Sequence, residues 1–278
     1  MDEVGLGKRL QAARKAAGLT QQELCHKAKL SYSTLAKIER GAIKSPSVFT
    51  IQSIAEALGI TLNMLMGGTD SAKQRSRGGV RFVYFDINGC MVRFFHQAFV
   101  KIAEETGALA DEVETFFWHY NDAVCRGDMD LDEFNKVLAK HLGAESIDWN
   151  SYYLAAIEPI PETQELVRWA AGPYRVGLLS NIMPGLIDEM FARHLLPDVT
   201  FDAIIDSSKV HTIKPEPKIY QLAQEWAGCK PAEILLIDDS RTNLMAAERE
   251  GWRVVWFDGY RPEESAARIR DALKPEGS

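Results

Sequence analysis

The sequence predicts two domains of different architecture: an all-α domain of five helices over residues 1–68 and an α/β domain with a parallel sheet over 80–278, joined by a linker at 69–79. Three observations carry this. Residues 4–66 show helical periodicity and no strand-like run. Beyond Val80, short apolar runs alternate with helical stretches, the pattern of a parallel sheet flanked by helices. Charge divides at the same point. Residues 1–79 hold twelve Lys and Arg against six Asp and Glu, a balance of +6, and the remaining twenty basic and thirty-three acidic residues leave −13. One end is built to sit near phosphates and the other is not.

In the first domain, Leu6, Leu10 and Ala13 fall at helical spacing, and the helix stops at Gly18, a C-cap residue. Thr20 then caps a short helix with Glu23 three residues on, the reciprocal capping-box arrangement. A third helix runs from about Ser31 to Arg40 and ends at Gly41; a fourth covers about Ser47–Leu58, and a short fifth follows Thr61. Gly67–Gly79 is rich in Gly, Ser, Lys and Arg without apolar periodicity and reads as a flexible linker.

In the second domain the strand candidates are Arg81–Phe85, ending in Asp86, then Arg175–Leu179, Ala203–Ile205, Ile234–Ile237 and Val254–Phe257. Helices are expected at Glu162–Ala171 and Pro217–Ala227. From about 93 to 158 the chain is helical with apolar faces, a helical cap inserted after the first strand.

With 46% hydrophobic and 26% charged residues the chain reads as globular. No apolar run approaches the ~20 residues of a membrane span, and the first residues are acidic rather than a basic leader. A cytoplasmic protein without membrane contact is expected. Cys25, Cys90, Cys125 and Cys229 have no metal-ligand spacing and read as buried thiols.

Thr20-Gln21-Gln22-Glu23-Leu24, Leu30-Ser31-Tyr32-Ser33-Thr34-Leu35 and Ile38-Glu39-Arg40-Gly41 follow one another in an order that resembles the phage-repressor (Cro/C1, XRE-type) helix-turn-helix family across residues 4–66. The resemblance implies binding of double-stranded DNA, with the second helix across the backbone and the third in the major groove. On that mapping Ser31, Tyr32, Ser33 and Lys37 face base edges. Arg14, Gln21, Arg40 and Lys44 are placed for phosphate contact. It also implies a transcriptional regulator, a homodimer on a pseudo-palindromic operator.

Four further pieces lie at the ends of strand candidates, where open parallel sheets bind ligands: Asp86 with Asn88, Ser180 with Asn181, Lys214 with Pro215, and Asp238 with Asp239. From Val80 to about Asp258 their order resembles the haloacid dehalogenase-like (HAD) hydrolase superfamily, a Rossmann-like fold with a small cap. The resemblance implies that Asp86 is a nucleophile forming an aspartyl-phosphate. Ser180, Asn181 and Lys214 would bind the phosphate, Lys214 neutralising its charge. Asp86, Asp238, Asp239 and the backbone carbonyl of Asn88 would hold Mg²⁺.

One residue departs from the phosphatase pattern. The position two after the nucleophile usually carries an Asp that protonates the leaving oxygen; here it is Asn88, and loss of a positioned acid costs ~10²–10⁴-fold. Dehalogenases also lack that Asp, but their chemistry needs no metal, which Asp238-Asp239 suits. A pocket for Mg²⁺ and a phosphorylated small molecule with weak or lost turnover is expected, the alternative being an active phosphatase with a helix-turn-helix targeting module. Trp118, His119, Tyr120 and Arg126 read foremost as cap packing and solvated face, the alternative being a lining of the substrate entrance, and Asn243 foremost as a helix-surface residue, the alternative being a residue that supports the site from behind.

Overall fold

A computed structural model describes residues 5–43, 46, 48–58 and 75–275. The chain divides into two compact units, Met1–Ala72 and Lys73–Ser278. The expected fifth helix, Lys44 and most of the linker lie outside the described residues.

The first unit contains α1 (Gly5–Ala16), α2 (Gln21–Lys27), α3 (Tyr32–Glu39) and α4 (Val48–Leu58). Leu10, Leu24, Leu35, Ile38, Ile51 and Ile54 form its core, drawn from all four helices. The capping box forms as expected: Glu23 N–H donates to Thr20 Oγ1, and the Glu23 carboxylate accepts from Thr20 N–H at 2.7 Å. Ser31 caps α3 by accepting from Thr34 N–H. α1 crosses α3 at Gly7, where a Cβ would lie 2.5 Å from the Ile38 carbonyl oxygen, so only glycine permits the approach.

The second unit is a five-stranded parallel sheet in the order β3-β2-β1-β4-β5, with β1 Phe82–Phe85, β2 Arg175–Ser180, β3 Ala203–Asp206, β4 Ile234–Asp238 and β5 Arg253–Trp256. All five expected strands form. The central residues of β1, β2 and β4 are buried on both faces, as continuous apolar runs between helical layers require, while the edge strand β5 is only half-buried. The order reverses at β1, so the carboxyl ends of β1 and β4 lie side by side. Phe85 pairs with Ile237, which brings Asp86 next to Asp238. The helices around the sheet are α9 (Pro161–Ala171), α10 (Leu186–Ala192), α11 (Ser207–Val210), α12 (Pro217–Ala227), α13 (Arg241–Arg249) and α14 (Pro262–Ala272).

The cap comprises α5 (His96–Thr106), α6 (Ala110–Arg126), α7 (Leu131–Leu142) and α8 (Trp149–Ala156). Its interior is aromatic, with Phe95, Phe99, Phe117, Phe134, Trp149 and Tyr153 in one buried cluster. The chain leaves and re-enters the sheet domain through a narrow stalk. Val92 bridges Pro159, Arg93 N–H donates to Glu158 O at 2.7 Å, and Ile160 N–H donates to Met91 O at 2.8 Å.

Two expectations change here. Residues 75–79 of the expected linker belong to the second unit: Ser76 is buried and bridges Pro275, Arg77 N–H donates to Lys274 O, and Arg75 pairs with Glu233. Polar composition concealed a segment whose backbone is hydrogen-bonded at Ser76, Arg77 and Gly79. Of the cysteines, Cys25, Cys90 and Cys125 are buried thiols, but Cys229 is partly exposed.

Candidate functional site

Asp86, the first residue beyond β1, is anchored by its own N–H, which donates to Ile237 O at 2.9 Å. Its Oδ1 accepts from Ser180 Oγ and Ile87 N–H at 2.7 Å each and from Lys214 Nζ at 3.0 Å. All three donors fall on one oxygen, which leaves Oδ2 able to attack or to take a cation. Lys214 Nζ also donates to Asp238 Oδ2 at 2.6 Å, and the ammonium is fully buried between the two carboxylates. Asp238 accepts in addition from Ser240 N–H and the Asn243 amide. Asn243, expected on the helix surface, therefore orients Asp238. No local pattern separates it from an ordinary exposed Asn on α13.

Lys214 does not lie at a strand end. It sits on the loop between α11 and α12, held by Asn181, whose amide donates to Lys214 O and accepts from Lys214 N–H, both at 2.7 Å. Asn181 was expected to bind phosphate, but its amide is consumed in presenting the lysine.

Asp86, Asp238 and Asp239 each offer an oxygen within 4.8 Å of the others. Burial pushes the Asp86 carboxyl up to about 6, against the pull of Lys214. Burial and then the Asp86 charge push Asp239 up to about 7. Burial alone would lower Lys214, but Asp238 and Asp86 outweigh it and hold the ammonium well above its ordinary range. Three carboxylates thus surround one ammonium, an imbalance that a hard divalent cation relieves, and an all-oxygen donor set suits Mg²⁺. Gly89 makes the arrangement possible: it has φ +75°, and a Cβ there would fall 2.1 Å from Asp239 Oδ2. The residues present fit the metal.

Asn88 lies beside this group, and its Oδ1 accepts from the Tyr153 hydroxyl, a bond across 65 residues. Tyr153 is buried at the cap's inner face, and burial keeps its hydroxyl protonated well above the usual phenol range. The bond turns the Asn88 amide so that its N–H₂ is the group left to meet a ligand. Sequence reasoning missed Tyr153 entirely. Beside the pair, the space between cap and sheet shrinks to a cavity of about 20 Å³ lined by Phe95, Phe117, Trp149 and Asn181 among others, room for about one water molecule. A larger cavity of about 480 Å³ opens on the other side, onto Gly89 and Asp239.

Of the cap residues read as packing, Tyr120 packs against the core, and Arg126 pairs with Glu216 at 2.7 Å and with Asp128. Trp118 instead lines the larger cavity.

In the first unit Ser31, Tyr32, Ser33 and Lys37 are exposed at the start and along the length of α3. Arg40 is exposed too, its Nε donating to Ala36 O. Arg14 is not available for phosphate. It is 7% exposed, and its guanidinium grips the Glu39 carboxylate with Nε to Oε1 at 2.7 Å and Nη2 to Oε2 at 3.1 Å, while Nη1 donates to Leu19 O. Gln21 donates to the same carboxylate at 2.7 Å, so it too is committed inward. Burial would raise Glu39, but the hydrogen bonds from Arg14 and Gln21 hold it below the usual carboxylate range. Both residues serve the packing of α1, α2 and α3.

Comparison with known proteins agrees with this division. A helix-turn-helix family model matches residues 10–65, and the haloacid dehalogenase-like hydrolase model matches residues 80–251. The immunity repressor protein of Bacillus phage phi105 is 45% identical over 62 residues, 22% of this chain and 42% of that protein. The (S)-2-haloacid dehalogenase of Xanthobacter autotrophicus is 28% identical over 126 residues, 43% of this chain and 49% of that protein. The chain spans less than half the length of each of these relatives. A HAD family enzyme of Bacteroides thetaiotaomicron, solved with magnesium and inorganic phosphate, superposes with a TM-score of 0.53 at 21% identity, over 65% of this chain and 96% of that one, and shows the shared fold. The chain belongs to the haloacid dehalogenase-like hydrolase family and carries a helix-turn-helix DNA-binding domain ahead of the hydrolase domain.

Proposed function

We propose that the protein is a DNA-binding transcriptional regulator, acting in the cytoplasm as a homodimer, whose hydrolase-family domain binds Mg²⁺ and a phosphorylated small molecule and turns it over weakly or not at all. The observation that carries this is Asn88. It occupies the place of the leaving-group acid, it cannot supply a proton, and Tyr153 holds its carbonyl oxygen away from the ligand. Phe95 and its neighbours fill the space beyond it, which favours a pocket adapted to hold rather than process. On the DNA side, Tyr32, Ser33 and Lys37 would read bases, with Ser31 as cap and contact, and Arg40 would meet phosphate. The operator is pseudo-palindromic.

The chemistry of the pocket follows from its own groups. Ser180 Oγ and Lys214 Nζ would hold phosphoryl oxygens and balance their charge, Lys214 being fixed by Asp238 and by Asn181. Asp86 Oδ2 would face the phosphorus, since Ile87 N–H with Ser180 holds the other oxygen and keeps the carboxylate from rotating. Asn88 N–H₂ would donate a hydrogen bond to the ester oxygen. Mg²⁺, held by Asp86, Asp238, Asp239 and the backbone carbonyl of Asn88, would neutralise phosphoryl charge.

An active phosphatase is the second reading, favoured by the intact set of Asp86, Ser180, Lys214 and the acid pair. Turnover of an aryl phosphate with Mg²⁺, compared between the protein and Asp86→Asn, separates the two. The regulator reading expects rates near background for both, with Mg²⁺-dependent phosphate binding by calorimetry and a salt-sensitive shift of DNA from its own promoter region. Robust Asp86-dependent turnover would establish the phosphatase instead. Chloride release from 2-chloropropionate, the ligand class of the Xanthobacter relative, is expected to be absent.

A further inference from the structure

We propose that the large cavity beside Asp239 is a subsite for a planar ring carrying a negative charge, so that the organic part of the phosphorylated ligand is an aromatic or heteroaromatic acid. The inference rests on the phosphate-binding reading above and adds the class of molecule attached to the phosphate.

Space sets the first constraint. The interior gap beside Asn88 holds about 20 Å³, too little for any organic group, whereas the cavity opening onto Gly89 and Asp239 holds about 480 Å³. A phosphate seated at Asp86 must therefore carry its remaining atoms outward, past Gly89. The two glycines on that path, Gly89 and Gly259, keep the backbone bare: a Cβ at Gly259 would come within 3.0 Å of the Gly89 carbonyl oxygen.

The lining sets the second. Phe94, Trp118 and Tyr260 supply ring surface. Trp118 is 45% exposed and Tyr260 96% exposed, large aromatic side chains left in solvent at the rim of a buried charged site. The Trp118 ring is rigid, stacked on Phe94 at 6.0 Å with 17° between planes and held by Nε1 donating to Glu114. Phe94 is backed in turn by Phe95 at 4.3 Å. A stiff, wet aromatic face suits offset stacking of another flat ring.

Charge sets the third. Asp239 marks the end where metal and phosphate sit. At the same cavity stand Arg93 and His96, and Arg93 is exposed and pairs with no carboxylate among the described residues. Its backbone is pinned at the stalk by the bond to Glu158 O. A ligand with phosphate at one end and a carboxylate at the other matches this polarity, and a guanidinium binds a carboxylate in bidentate fashion.

The test measures binding of phosphonates, which cannot be hydrolysed, to the full chain with Mg²⁺ by calorimetry: methyl-, cyclohexylmethyl-, benzyl- and 4-carboxybenzylphosphonate. Benzyl is expected to bind about tenfold tighter than cyclohexylmethyl through ring stacking, and the carboxylate to add about tenfold more through Arg93. Trp118→Leu should erase the benzyl preference, and Arg93→Met should erase only the carboxylate step. Equal affinities for the three ring-bearing and saturated probes in the unaltered protein overturn the inference while the phosphate reading stands. Failure of methylphosphonate and inorganic phosphate to bind at all overturns that reading and this inference together.

Discussion

Each unit of this molecule buries an ionic cluster, and the two differ in a way that separates scaffolding from chemistry. In the helix-turn-helix unit, Arg14 and Glu39 form a bidentate pair, Gln21 completes it, and the backbone oxygen of Leu19 takes the remaining donor. Charge balances and the carboxylate is satisfied within the protein. In the hydrolase unit, Lys214 faces Asp86 and Asp238 with Asp239 close by, and two of those carboxyls are pushed upward. That cluster carries an excess of negative charge that a bound cation would relieve. The balanced pair braces three helices, and the unbalanced cluster is the candidate binding site.

The sharpest way to break the comparison is to neutralise one member of each cluster. Asp86→Asn should remove whatever Mg²⁺-dependent aryl phosphate turnover exists above background, while thermal unfolding changes little or rises because charge crowding is relieved. Rates that survive the change would mean Asp86 is not the nucleophile. Arg14→Ala should do the reverse. Removing one partner of a buried pair costs about 3–5 kcal/mol, so hydrogen-exchange protection across α1–α3 should collapse and DNA binding fail by unfolding. Lys37→Ala on the exposed face should leave protection within ~0.5 kcal/mol and relax sequence preference in a mobility-shift assay. If Arg14→Ala folds normally yet weakens binding to all sequences, Arg14 contacts phosphate after all.

Asn88→Asp tests the hydrolase cluster more finely. Restoring an acid should raise turnover of an alkyl phosphate by on the order of 10²-fold and matter little for an aryl phosphate, whose leaving group needs no proton. The Tyr153 hydroxyl would donate to the new carboxylate and stabilise its charged form, which opposes acid catalysis. The double variant Asn88→Asp, Tyr153→Phe should therefore exceed the single one in steady-state kinetics. Equal background rates in all three proteins would leave a pocket that only binds.

The smallest effect is expected from acid. Glu39 titrates below its ordinary value in the folded unit, so its contribution is fully present above the unfolded value of ~4.5 and is lost as pH falls through the lower folded value. Protection of α1–α3 should be flat from pH 7 to about 5 and decline below ~4.5, and Glu39→Gln should remove that decline at the cost of a weaker plateau. A decline unchanged by the substitution would assign it to other carboxylates.

Much of this was legible in the sequence for a physical reason. The short apolar runs around Val83, Leu178 and Leu236, alternating with helical stretches, fit buried parallel strands, and the polar residues that end them are where a parallel sheet places its ligands. The capping box at Thr20 and Glu23 is local, so two residues three positions apart carry it. Arg14 was misread because a basic residue in a basic domain has the same local signature whether it faces DNA or a glutamate 25 residues away. Tyr153 was invisible for the same reason and Asn243 undecided, since only the folded chain brings a cap helix against Asn88 or turns α13 so that one amide meets Asp238.

The stalk beneath the cap has a consequence for how such a protein changes over evolutionary time. Val92 and Pro159 touch, so everything between them is a detour whose two ends coincide. A different detour, longer or shorter, can be grafted at that point without shifting the register of a single strand, because the junction spans one bridge. The carboxylates, the lysine and the serine remain with the host; the rings that judge the ligand travel partly with the graft. The proposed choice of molecule and the proposed hold on a phosphate would thus be inherited on separable pieces of one chain, and a new ligand could be acquired without rebuilding either the sheet or the helix-turn-helix domain.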